Sequence, residues 1–176
     1  MSHEEVSANY FKNRDTPTES LCNRFYDLVT HTGKLTVSNL YKVWIKLINE
    51  RTSAKTNLIT AKQVVDIHIG TGLNGISAQI EYEKAYKKAS IYDNYTFEVL
   101  HRAICKEILD KYNRLIMKNN KTQSDIVKIQ ILNCAIEPLQ STGWEQFNYI
   151  IKELLDKRLK FELSAKNIVE NCKKRF

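Results

Sequence analysis

The sequence predicts an all-α fold: a compact bundle of seven or eight helices around one long central helix at about residues 96–117. Three observations carry that expectation. Only 5 Gly and 2 Pro occur among 176 residues, too few for a turn-rich β protein. Apolar residues recur at steps of three and four through most of the chain, the period of one helical face. Helix-start signals, a Thr followed three residues later by Glu or Gln, stand ahead of several of these runs. With 43% hydrophobic residues the chain can fill a core.

Residues 1–15 are polar and are expected to form an arm or a short helix; residues 16–176 are expected to form a single all-helical domain. Thr16-Pro17-Thr18-Glu19 opens the first helix, with Thr16 as cap, Pro17 at the first helical position and Glu19 closing a capping box. Leu21, Phe25, Leu28 and Val29 form its apolar face, and Gly33 ends it. Thr36 or Ser38 starts a second helix carrying Leu40, Trp44, Leu47 and Ile48, which fades at Arg51-Thr52-Ser53. Thr60-Ala61-Lys62-Gln63 reads as another capping box ahead of Val64, Val65, Ile67 and Ile69, a short helix for which β-branching makes a strand the alternative. After the loop at 70–75, residues 76–89 read as a helix with Ile80 and Tyr86 inward and Lys84, Lys87 and Lys88 outward.

The organising stretch follows. Phe97, Leu100, Ile104, Ile108, Tyr112 and Leu115 lie on one face, widened by Cys105, Leu109 and Ile116, with Thr96 as N-cap and Asn119-Asn120-Lys121 as the close. At 1.5 Å per residue this helix spans about 33 Å, and so wide a stripe needs other helices packed on it. Ser124 opens a helix apolar nearly all round, expected to be buried against the central one and stopped by Pro138. Thr142 to Glu145 reads as a third capping box before Phe147, Ile150, Ile151, Leu154 and Leu155. Ser164 starts a last helix with Ile168, Val169 and Cys172, ending at Lys173-Lys174-Arg175-Phe176.

The net charge is +7, from 27 basic and 20 acidic residues. It is spread out: residues 1–88 hold 12 basic and 9 acidic (+3), residues 89–176 hold 15 and 11 (+4). A pI near 9.2 suits nucleic acid, acidic proteins or an anionic surface as partner, and equally an ordinary basic protein. Candidate contacts for an acidic partner or nucleic acid are Lys84, Lys87, Lys88, Lys118, Lys121, Lys157, Arg158, Lys160, Lys173, Lys174 and Arg175. Acidic neighbours such as Glu81 and Glu83 interleave with them and weigh against phosphate. Four dispersed cysteines without a CxxC argue against structural zinc and for a reducing intracellular setting, cytoplasm or nucleus. No basic and apolar leader opens the chain, and no apolar run has the length of a membrane span. Abundant Lys and Asn fit a low-GC viral, phage or parasite genome.

Gly70, Gly72 and Gly75 spell GxGxxG, with Asp93 18 residues beyond, as in a dinucleotide-binding turn. Asp66 and His68 alternate with the apolar residues before it, and no second βαβ unit exists, so a helix end and a turn explain the glycines better. The same region reads as a helix-turn-helix presenting Ser77, Gln79, Lys84 and Lys87, against a plain helical hairpin. His101 and Cys105, four apart with Glu98 nearby, have the spacing of two metal ligands or an activated thiolate, but they border the apolar stripe and read first as packed residues. No GxSxG, HExxH or GxxxxGK[ST] pattern occurs. Gly143-Trp144-Glu145-Gln146-Phe147 resembles the second homology segment of Bcl-2-like proteins over these five residues, and the helix count and size suit that family; its companion Asn-Trp-Gly-Arg motif is absent, and no binding residue is carried over. The expected function is a non-catalytic helical module that binds another protein, without cofactor or metal, with a basic nucleic-acid binder as the alternative; homo-oligomers are compatible with either.

Overall fold

The computed structural model describes residues 16–174; the expected N-terminal arm and the last two residues lie outside the described residues. The chain is mostly helical, in the order α1 (Pro17–Thr32), β1 (Leu35–Thr36), α2 (Val37–Ile67), α3 (Leu73–Ser90), α4 (Asn94–Met117), α5 (Gln123–Ser141), α6 (Phe147–Asp156), β2 (Glu162–Leu163) and α7 (Ala165–Lys174).

Several helix ends follow from the capping residues. Thr16 Oγ1 accepts from Glu19 N at 3.2 Å, with Pro17 in the first turn, and Gly33 ends α1 at φ 89°. Thr36 caps α2 through Asn39 N. Thr122, not Ser124, opens α5 in a reciprocal capping box with Asp125. α4 starts two residues before the expected Thr96: Asp93 accepts from Thr96 N at 2.8 Å, while Thr96 is buried and donates to Ile91 O and Asp93 O.

Four expectations are corrected. First, α2 does not fade at Arg51-Thr52-Ser53 but runs unbroken for 31 residues, about 46 Å, so Thr60 sits inside a helix and caps nothing. Without Gly or Pro there, Thr52 and Thr56 turn their hydroxyls back onto Ile48 O and Thr52 O and stay compatible with the helix. Second, Pro138 does not stop α5; the helix continues to Ser141, and Thr142 N closes on Pro138 O at 3.0 Å. Third, α5 is not buried all round. Leu132, Ala135 and Leu139 face inward, whereas Ile126, Val127 and Cys134 are exposed. Fourth, the Thr142–Glu145 segment is a turn without a side-chain cap on α6.

The core gathers where α2, α4 and α6 meet. Trp44 packs edge-on against Phe97 (5.6 Å) and Phe147 (4.9 Å), and Trp144 lies 4.7 Å from Phe97 with the Arg51 guanidinium 4.5 Å over its ring. In the segment resembling the Bcl-2-like motif, Trp144 and Phe147 are thus core residues. Of the expected apolar stripe of α4, Phe97, Leu100, Ile104 and Ile108 are buried, Tyr112 and Leu115 half-buried and Ile116 exposed. α1 and α7 pack on one side of α4, and α5 also packs on it. The short antiparallel ribbon, Leu35 opposite Leu163, ties the α1–α2 corner to the start of α7. Glu107, buried on α4, accepts from Ser164 N and Asn167 Nδ2 and anchors the same helix start.

Candidate interaction surface

Two helices leave the body together. The last buried residue of α2 is Ala54, and half-buried Leu58 is the last of its side chains packed against the core. Beyond it, among the described residues, α3 is the main element packed on α2. The covered faces carry small residues, Ala54 and Ala61 on α2 and Ala78, Ala85 and Ala89 on α3, with Leu58, Val65 and Tyr82 also less exposed than their neighbours. Small side chains at steps of four and seven let two antiparallel helices approach closely. Neighbouring residues confirm the direction, Ala61 and Val64 lying near Ser77 and Ala78, and Leu58 near Tyr86 and Ala89.

The tip of this hairpin is tight. His68 closes α2, and Gly70 (φ 76°) and Gly72 (φ 63°) take left-handed conformations that favour glycine. Gly75 sits in the first turn of α3, where a Cβ would stand 2.8 Å from His68 O. The glycines therefore shape a helix-to-helix turn. A helix, not a strand, precedes them, so the strand–turn–helix context of a dinucleotide site is missing.

Five large apolar side chains crown the tip. Ile67 and Ile69 are each 73% exposed, Leu73 84%, Ile76 59% and Ile80 48%. Leu73, Ile76 and Ile80, at steps of three and four, form one stripe on the side of α3 turned away from α2. The expectation that Ile80 and Tyr86 point inward is therefore wrong: the alanines, not these residues, hold the seam. Between residues 56 and 80 the only formal charges are Lys62 and Asp66, which cancel (1 − 1 = 0).

The candidate basic residues are dispersed. Lys84 pairs with Glu81 at 3.4 Å on exposed α3, and Lys87 is exposed beside it. Lys88 borders a cleft formed with α1 and α2. Lys118 is bound to Asp125 at 2.8 Å, and Lys121 Nζ donates to Lys118 O. The Lys118 contact, helped by Thr122 N, holds the Asp125 carboxyl down at about 2. Lys157 and Arg158 end α6, where Arg158 takes φ 54°, Lys160 lies exposed beyond them, and Lys173 and Lys174 end α7. Arg175 lies outside the described residues. The α3 cluster sits on the hairpin, whereas α7 packs on α1 and α4.

His101 Nε2 lies 3.4 Å from Cys105 Sγ, which donates to Leu139 O at 3.3 Å. Both residues are buried. Burial pushes the Cys105 thiol up to about 12 and His101 below its ordinary value, so proton transfer from thiol to imidazole is opposed at both ends. The pair is a packed contact. Among the described residues no cluster of three His, Cys, Asp or Glu side chains has metal-binding geometry, and no helix is long and apolar enough to cross a membrane.

Compared with known proteins, the chain matches no family model, no curated protein and no solved structure.

The five tip residues escaped the sequence reading because hydrophobicity marks a face as sticky without saying whether the fold covers it. A usable signal was present: Ala54 with Ala61, and Ala78 with Ala85 and Ala89, mark the faces that pair and leave Leu73, Ile76 and Ile80 on the other side.

Proposed function

We propose that this protein is a non-catalytic helical interaction module that engages another protein through the apolar tip of the α2–α3 hairpin. One observation carries the reading: five exposed large apolar side chains crowd a 14-residue stretch with no net charge among them. Large apolar side chains clustered and exposed in this way mark a binding site more often than singly scattered ones do. The partner chemistry that fits is the apolar face of a helix or a hydrophobic groove. In this reading the body, arranged around Asn94–Met117, is a platform that holds the hairpin out. Four unpaired thiols suit an intracellular setting, and the Lys- and Asn-rich composition suits a viral, phage or parasite accessory protein.

The alternative, binding to nucleic acid through phosphate, is supported by the +7 net charge. It is weakened at the tip by neutrality and elsewhere by the Lys84–Glu81 and Lys118–Asp125 pairs.

A selection of displayed helical peptides on the full chain tests the proposal. Selected peptides are expected to lose binding by more than about tenfold on Leu73→Asp with Ile76→Asp, and to be unaffected by Lys157→Gln with Lys160→Gln. Binding to short DNA or RNA at about 0.15 M salt, tighter than the non-specific range of roughly 10⁻⁴–10⁻⁶ M, would overturn it in favour of the alternative.

A further inference from the structure

A second feature lies at the base of the hairpin, independent of the tip. Lys46, Asn49, Glu50, Ser53 and Asn57 recur at steps of three and four along α2, so they share one face. That face lies between α1 and α3, where a helical bundle ordinarily buries apolar side chains. Here it floors a cleft of about 670 Å³, walled by Arg24 of α1, Lys88 of α3 and Tyr92 of the α3–α4 connection, with Ala54 at the bottom.

The polar groups of the cleft are organised. Arg24 Nε donates to both Glu50 oxygens at 3.2 Å and Nη2 to Oε1 at 2.5 Å, while Tyr92 Oη donates to Oε2 at 2.8 Å. Glu50 is thereby saturated and fixes the guanidinium, whose Nη1 hydrogens are not used in this pairing. Lys46 and Lys88 add two positive charges, and among the described residues neither has an ion-pair partner. Three cations against one carboxylate leave the cleft at 3 − 1 = +2. Asn49, Ser53 and Asn57 supply neutral donors beside them.

We propose that this cleft binds a small phosphate-bearing anion. Lys46 and Lys88 provide the charge, the Arg24 guanidinium a planar set of donors, and the α2 amides and hydroxyl the remaining hydrogen bonds. The volume lies within the range of small-molecule sites and accommodates ligands from pyrophosphate to a mononucleotide. A cation would meet net positive charge.

Titration calorimetry of the full chain with pyrophosphate, at about 0.05 M salt so that exposed charges are not fully screened, tests the site. One saturable site is expected. Lys46→Gln with Lys88→Gln is expected to weaken it by at least about tenfold, and Lys157→Gln with Lys160→Gln to change it less than about twofold. All four lysines are exposed, so both variants retain the fold. The amide resonances of Ser53 and Asn57 are expected to shift with pyrophosphate. Absence of saturable binding, or equal losses in both lysine pairs, would overturn the proposal. Tighter binding of citrate than of pyrophosphate would overturn the assignment to phosphate.

Discussion

Individual residues show how burial sets their chemistry. Burial in the aromatic core, beside Trp44 and Phe147, lowers the His101 pKa from its ordinary 6.5. A depressed folded pKa contributes stability that is present above pH 6.5, where both states are neutral, and is lost as pH falls and the unfolded chain takes up the proton first. Chemical denaturation from pH 7.5 to 5 should therefore show falling stability, and His101→Phe should flatten that slope. An unchanged slope would mean that other groups cause it. Gly75 is a second case. Gly→Ala in a helix ordinarily gains about 0.4–1 kcal/mol. Here the added Cβ meets His68 O at 2.8 Å, so Gly75→Ala should lose about 1–3 kcal/mol instead. A measured gain in melting temperature would show that the turn relaxes freely.

Among the elements, the legible parts were those with strong local chemistry. The Thr16-Pro17 start, the Gly33 stop and the Phe97–Ile108 face follow from caps and period alone. What escaped was set by tertiary context. The polar run at residues 51–53 looked like a break, but Arg51 is held by Tyr92 O and Asn94 and by the Trp144 ring, which stabilises the helix through that point. The β1–β2 ribbon was hidden because its strands are two residues each, although Leu159, Phe161 and Leu163 alternate inward with Lys160 and Glu162 outward. Continuity of α2 predicts slow amide exchange across 50–58, and Ser53→Pro should cost about 3 kcal/mol or more. Fast exchange at Thr52 and Ser53 would restore two separate helices. In the packed faces, Ile104→Ala and Leu132→Ala should each cost about 2–5 kcal/mol, since both side chains are fully buried. Small effects at both would mean the α4–α5 contact is misplaced.

For the whole molecule, the division of labour is between a packed body and a hairpin that carries apolar surface beyond it. The body accounts for stability, with its aromatic centre and the Glu107 anchor of α7. The hairpin buries little beyond its alanine seam and leaves Ile67, Ile69, Leu73, Ile76 and Ile80 exposed to water, the surface that the proposed partner would cover. Fold class and the buried face of α4 were readable from the sequence; the exposure of the tip depends on which faces of α2 and α3 pair, which only the alanine pattern hints at. Site-specific photocrosslinking shows whether the hairpin tip meets a protein. With a photoreactive side chain at Ile76, compared with Tyr149, an exposed residue on α6, a discrete protein adduct is expected from Ile76 that survives nuclease and is absent from Tyr149. Nuclease-sensitive adducts, or the same adducts from both positions, would contradict it.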